Sequence, residues 1–211
     1  RSGTKLDGVV GKVILPALLA PAIAIVVASI GTWLVFRITR SVAEGFRDRG
    51  FRLGQIGSSS LISLAHGTND AQKTMGVITL ALYLFHKIDT IHVPLWVKLA
   101  CAFAMAMGTA MGGWKIVKTM GHKIFKLEPV HGFASETSAA LVISGASILG
   151  APISTTHTIT ACIFGVGSTK RLTAVRWGVA GHLIIAWVLT IPASGLLAAC
   201  SFFLLNAVGF A

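Results

Sequence analysis

Two short polar strings interrupt an otherwise apolar sequence. The first is Gly67-Thr68-Asn69-Asp70-Ala71-Gln72-Lys73, preceded by His66; the second is Pro152-Ile153-Ser154-Thr155-Thr156-His157. Between them Glu136 stands in an apolar stretch with no cation near it in sequence. Asp70 beside the Asn69 amide makes a hard-oxygen pair suited to Na⁺ or to carrying a proton. The competing reading is a polar knot between helices, with Lys73 three residues on neutralising Asp70. Ser154, Thr155 and Thr156 follow a proline, so one of them can cap a restarting helix. The first turn of that helix then offers free N–H groups and a positive dipole end to an anion, with hydroxyls as further donors. Plain capping asks for the same residues. Glu136 points to a bound cation or proton, because a lone carboxylate in an apolar setting is costly. Lys73 balances acid charge or meets an anion. His157 either titrates or bonds a ligand, or is a satisfied structural histidine. His66 and His182 read first as structural.

These groups need elements to hold them, and the composition says which kind. Hydrophobic residues make up 54% of the chain and charged residues 12%, with a mean hydropathy of +0.79. Soluble domains carry about 25% charged residues, so the class is a membrane protein. The net charge of +11 comes from 18 basic and 7 acidic residues. The basic residues cluster between apolar runs, which the positive-inside rule explains without nucleic acid. Cys101, Cys162 and Cys200 lie in apolar stretches without CxxC spacing and read as buried free thiols.

The first span is expected from about Val13 to Phe36, with Pro16 and Pro21 starting or kinking it. Arg37, Arg40, Arg47, Arg49 and Arg52 follow and mark a cytoplasmic loop. A second apolar region, about Leu53 to Phe85, is too long for one plain span and contains the Asn69-Asp70 string. Gly67 and Gly76 are expected to let it unwind there, giving a broken helix. His86 to Val93 reads as an extracytoplasmic loop. A third span runs from about Pro94 to Gly113, and its Met105, Gly108, Ala110, Gly112 and Gly113 suggest close helix packing. Lys115, Lys118, Lys123 and Lys126 return the chain to the cytoplasmic side.

Phe133 to Gly167 is apolar but split at Pro152, and basic residues flank both ends. Arms of about 16 to 18 residues are short for full spans, so the reading is a re-entrant helical hairpin with its tip near Ala151-Pro152-Ile153. Backbone that turns at membrane depth must face protein or a watery cavity. The last span is expected from about Trp177 to Leu205. Trp33, Trp96, Trp114 and Trp177 sit near span ends as interfacial anchors. The fold class is thus an all-α polytopic helix bundle forming one transmembrane domain over residues 1–211. The first apolar run is too long for a signal-peptide core and follows Arg1 rather than a methionine, so the chain is read as a piece of something longer.

The first string resembles the signature of the inorganic phosphate transporter (PiT) family, whose general form is Gly-Ala-Asn-Asp-Val-Ala-Asn. His66, Gln72, Lys73 and the following Thr74-Met75-Gly76 look like its bacterial members. The second string matches the family's Pro-(Ile/Val)-Ser-Thr-Thr-His, and Glu136 stands where that family's acidic residue is expected. The resemblance covers about Ile56 to Leu204. Family members carry both motifs twice, once in each of two inverted halves, whereas each appears once here. The resemblance therefore implies the C-terminal half of an inverted-repeat symporter of phosphate, free or as a metal–phosphate complex, coupled to H⁺ or Na⁺. It implies substrate contacts from Asn69, Asp70, Ser154, Thr155 and Thr156, and coupling-ion contacts from Asn69, Asp70 and Glu136. Thr68, Gln72, Lys73 and His157 are further candidates. Na⁺ at Asn69, Asp70 and Glu136 is the one metal implied, and no cofactor is. Besides phosphate, the expected partners are the bilayer and an N-terminal half, with a homo-oligomer left open. The implied location is a multi-pass position in a cell membrane, the bacterial inner membrane. Protonated phosphate could donate a hydrogen bond to Asp70, which sulfate at neutral pH could not.

Two other classes compete. An ion channel or other anion carrier would use the same polar groups, and saturable gradient-driven flux separates it from a symporter. An intramembrane hydrolase would use Ser154, His157 and Asp70, but the sequence holds no GxSxG, HExxH or CxxC.

Overall fold

In a computed structural model the described residues are 10–207, and nearly all are helical. A π turn, Val10–Ile14, leads into α1, Leu15–Ile38. Then come α2, Glu44–Leu84, and α3, Leu95–Lys118, which ends in a π turn at Thr119–Ile124. Two shorter helices follow, α4 (Pro129–Ile148) and α5 (Thr155–Lys170), and after a 3₁₀ turn comes α6 (Trp177–Ala207). The expectations about Arg1 lie outside the described residues. Residues 10–175 form one compact unit and 176–207 another. By length and composition α1, the run Leu95–Ile124 and α6 can each cross a membrane.

Local chemistry accounts for the boundaries. Pro16 lies in the first turn of α1, where its missing N–H costs nothing; Pro129 does the same for α4. That start makes α4 20 residues long, more than the expected arm. α4 closes in a Schellman motif: the N–H of Gly150 bonds to the carbonyl of Ser147 (3.1 Å) and that of Ala151 to Ala146 (2.9 Å). Gly150 takes φ +65°, which a Cβ would strain. Pro152 then prevents the helix from continuing, and Ser154 restarts it as N-cap of α5, accepting from the His157 N–H at 3.4 Å. The result is a helical hairpin with its turn at residues 149–154.

The hairpin is the buried part of the first unit. α5 packs on α1 through small residues: Ala24, Ala28, Ala161 and Cys162 are buried together. A Cβ on Gly165 would lie 2.5 Å from the Ile25 carbonyl, so only glycine allows this approach. The Ser29 hydroxyl donates to the Gly165 carbonyl at 3.2 Å across the same seam. α4 packs on both α1 and α2. On the outer face Leu18, Ile23, Val26 and Ile30 are exposed, a surface suited to lipid.

Three expectations are corrected. The broken helix is absent: α2 is one continuous 41-residue helix through Gly67 and Gly76, about 60 Å long at 1.5 Å per residue. The Asp70 charge is met by Lys73 at i+3, with His66 at i−4 on the same helix face 3.6 Å away, so the polar string has intrahelical neighbours and no reason to unwind. Second, α3 does not use its glycines within the described residues, since a Cβ at Gly108 or Gly112 meets nothing within 4 Å. Its buried residues are Val97 and Cys101, nearer its start. Cys101 and Cys162 are buried free thiols, but Cys200 is exposed rather than buried, because its apolar helix α6 has Ala180 as its one buried residue.

The base of the hairpin is tied by Lys170, which ends α5 and donates to Glu128, the residue before α4, at 3.0 Å. Lys170 holds the Glu128 carboxyl below its usual range, chiefly through this hydrogen bond. If both arms open on one side, single cysteines at Lys126 and Thr173, both exposed, should react with an impermeant thiol reagent from the same side of the membrane. Labelling from opposite sides would mean an odd number of crossings between the two probes and would exclude a hairpin of either depth. Gly132 is unsuitable as a probe of access, because it is buried.

Candidate functional site

α2 and the hairpin turn bring the two polar strings together. The Thr155 hydroxyl donates to the Asp70 carboxylate, 3.2 Å from Oδ1 and 3.1 Å from Oδ2. Lys73 Nζ lies 3.2 Å from Asp70 Oδ1 and donates to the Ile153 carbonyl at 3.0 Å. His66 Nε2 is 3.6 Å from Asp70 Oδ2. Asp70 therefore sits at the N-terminus of α5, where the helix dipole favours negative charge. Thr155 is 2% exposed, while the Asp70 side chain keeps 32% of its surface open. One turn of α2 is thus pinned to the hairpin at its tip.

Asn69 faces the other side of the turn. Its Nδ2 donates to the Ser147 hydroxyl on α4 at 2.9 Å, and its Oδ1 is buried with no hydrogen-bond partner. Asn69, Gln72, Lys73, Ser147, Gly150 and Pro152 border an open cavity of about 220 Å³.

Not every expected residue converges here. Glu136 lies elsewhere, accepting from Ser59 at 3.0 Å and, more closely, from Ser58. Ser58 and Asn69 are three turns of α2 apart, about 16 Å of rise, so Glu136 and the Asn69-Asp70 pair form two centres. Thr68 bonds to the Leu64 carbonyl of its own helix at 2.7 Å and is exposed. Thr156 is exposed. Ser154 is occupied as N-cap by a backbone N–H. His157 is part-buried one turn into α5. His182 meets the Gly178 carbonyl of its own helix at 2.7 Å. Sequence reasoning passed over Ser58, Ser59 and Ser147. The signal for the first two was the run Ser58-Ser59-Ser60 in an apolar helix; Ser147 had none beyond a position five residues before Pro152.

This geometry separates the two hydroxyls of the second string. On the phosphate-carrier expectation drawn from the motifs, Thr155→Val in a full-length parent should weaken phosphate uptake about tenfold at subsaturating phosphate, the worth of a hydrogen bond to a charged partner. Thr156→Val should cost less, because its hydroxyl contacts no carboxylate. Equal half-saturation for both variants and the parent would reduce these threonines to helix-capping residues.

The model of the Phosphate transporter family matches residues 40–198. A "probable low-affinity inorganic phosphate transporter" of Mycobacterium tuberculosis (strain H37Rv) is 49% identical over 209 residues, covering 98% of this chain and 50% of that protein. A protein of the same description from Bacillus subtilis is 42% identical over 198 residues, covering 93% and 60%. The solved structure of the sodium-dependent phosphate transporter shares the fold, with a TM-score of 0.69 at 22% identity, covering 97% of this chain and 62% of that one. The chain spans about half the length of the curated relatives it matches. The family is one of transporters and not of enzymes, and with its polar strings, its hairpin and its membrane helices the chain belongs to the phosphate transporter family.

Proposed function

We propose that residues 1–211 are one transmembrane domain, the C-terminal repeat of a bacterial-type inverted-repeat symporter. It moves inorganic phosphate, free or as a metal complex, across the cell's inner membrane with Na⁺ or H⁺. The observation that carries this reading is the Asp70 carboxylate held by Thr155 at the N-terminus of α5. That helix end is an anion site by its free N–H groups and dipole, yet a carboxylate already stands beside it. A dianionic phosphate cannot join a charged Asp70 at low dielectric unless a proton or a cation comes too. Coupling then follows from electrostatics: anion and cation bind together or not at all. Lys73, Thr155 and the first N–H groups of α5 serve the anion. Asp70 takes the proton, or shares the cation with Asn69.

In this reading the α4–α5 hairpin is re-entrant, its tip at the site and its basic flanks in the cytoplasm. A discontinuous helix end aimed at a midplane substrate is a recurring transporter device. Glu136, with Ser58 and Ser59 as hydroxyl partners, forms the second titratable or cation-holding centre on the same α2 face.

The test is uptake of labelled phosphate by the full-length protein, with and without Na⁺, at two pH values. Cation- or proton-dependent, saturable accumulation is expected. Glu136→Gln keeps shape and a polar group but removes the charge, so it should change the cation or pH dependence while membrane abundance stays within about twofold. A variant with the parent's dependence would make Glu136 structural, and non-saturating flux in the parent would point to a channel.

A further inference from the structure

The polar groups of α2 are not scattered around the helix. Arg52, Gln55, Ser59, Ser63, His66 and Asp70 follow one another at steps of three or four residues. Five steps cover 18 residues, which is the 3.6-residue repeat of an α-helix, so the groups form a straight stripe about 27 Å long on one face. Arg52, Gln55, Ser59 and Ser63 border the open groove of about 560 Å³, and His66 Nε2 ends the series 3.6 Å from Asp70 Oδ2. The stripe runs to one side of Asp70 only. Past Lys73 the same face carries Val77, Ala81 and Leu84, with Val77 70% and Leu84 66% exposed. A serine alone is tolerated in an apolar helix, because its hydroxyl can return to the preceding turn, as Ser60 does to the Ile56 carbonyl at 2.9 Å. Charges are different. Arg52, Asp70 and Lys73 on one face are costly against hydrocarbon, so that face calls for water or protein. Leu61 and Leu64, exposed on another side of the helix, suit lipid.

Resting on the symport reading above, we infer that this stripe is the wall of a water-filled vestibule through which phosphate passes between Asp70 and the cytoplasm, with Arg52 as the anion-attracting group at its mouth. Five arginines stand against two acids between Arg37 and Arg52, so the mouth carries a positive field that raises the local concentration of an anion. The serine hydroxyls and the Gln55 amide offer neutral donors along the way, which let a hydrated anion move without trapping it. A face that is polar on one side of Asp70 and apolar on the other supplies half of an alternating-access route. The far half must come from elements other than α2.

The experiment places single cysteines in the full-length transporter, in a background without other cysteines, and treats inside-out vesicles with impermeant methanethiosulfonates, one anionic and one cationic. A thiol in water ionises and reacts, whereas one against lipid stays protonated. Ser63→Cys should react from the cytoplasmic side at least about tenfold faster than Leu61→Cys, Leu64→Cys or Val77→Cys, although all four positions are exposed in this chain. Inorganic phosphate should slow the anionic reagent at Ser63→Cys. Adding Arg52→Gln should lower the anionic reagent's rate there about tenfold and leave the cationic reagent's rate within about twofold. Where Ser63→Cys is not recovered in the membrane, Ser60→Cys in the same groove takes its place. Equal rates at Ser63 and Leu61, an unreactive Ser63→Cys, or a Val77→Cys that reacts as fast from the cytoplasm would overturn the vestibule. An Arg52→Gln variant that slows both reagents equally, or neither, would overturn the role of Arg52. Phosphate uptake by the parent, with Na⁺ or proton gradients imposed, separates the two readings. A parent with coupled uptake and a covered or lipid-facing Ser63 would overturn the vestibule alone, whereas a reactive Ser63 in a parent with no coupled uptake would overturn the symport reading.

Discussion

Replacing Asp70 with asparagine in the full-length transporter should lower phosphate uptake about 10- to 100-fold, the range expected when charge-assisted hydrogen bonds worth roughly 1.5–3 kcal/mol are lost. The substitution keeps the shape of the side chain, and its amide oxygen can still accept from Thr155, 3.1 Å from the carboxylate in the parent. What disappears is the charge that balances Lys73 at 3.2 Å and that, in the coupling argument, forbids phosphate from binding without a cation or proton. The variant should reach the membrane at near-parent levels, because Asn69, Thr155 and the α4–α5 packing are untouched. Uptake normalised to membrane protein makes the measurement. Near-normal uptake would reduce Asp70 to a packing partner of Lys73. In that case Lys73→Met, which leaves Asp70 without its ammonium partner, should damage membrane abundance more than transport.

A polypeptide of these 211 residues, purified and reconstituted alone in liposomes with an imposed Na⁺ or proton gradient, should accumulate no phosphate. An inverted-repeat carrier closes its site from alternate sides by moving one half against the other, and here there is one Asn-Asp string and one Ser-Thr-Thr-His string. Polar surface supports the same expectation. Arg52, Gln55, Ser59, Ser60 and Ser63 line an open groove of about 560 Å³ along α2, and Lys73 is half exposed. Facing hydrocarbon, a charge costs about 2.5–3.5 kcal/mol on insertion scales. That face is suited to another protein surface or to water. Self-association could cover it, but the one-sided basic loops disfavour an inverted second copy. Saturable accumulation by the isolated chain would show that these residues suffice and would favour an antiparallel homodimer as the working unit.

The legible part of the site was the part written in residue type. Asp70, Thr155 and Lys73 could be picked out because ionisable and hydroxyl groups are conspicuous in an apolar sequence, and the two strings do meet at the hairpin tip. The hairpin itself was legible for a local reason: Gly150, Pro152 and Ser154 are stop and start signals whose geometry needs only their neighbours. The unwinding of α2 was misread because glycine permits a break without requiring one. His66 and Lys73 at helical spacing from Asp70 reward the unbroken helix.

Apart from the second helix, which starts at Glu44 and not near Leu53 and is unbroken, the sequence by itself determined the membrane class, the approximate limits of the helices and the place where the chain turns back between α4 and α5. These follow from hydropathy, helix spacing and capping, which act over a few residues. It could not determine which polar groups meet across helices. Glu136 lies with Ser58 and Ser59 and not with Asn69 and Asp70, and Ser147 rather than any residue of the second string holds the Asn69 amide. Such contacts join residues 77 or 78 positions apart, and they depend on the rotation and depth of each helix. Those are fixed by close packing at places such as Gly165 against the Ile25 carbonyl, where a shift of one turn, about 5.4 Å, would pair every one of these groups with a different partner.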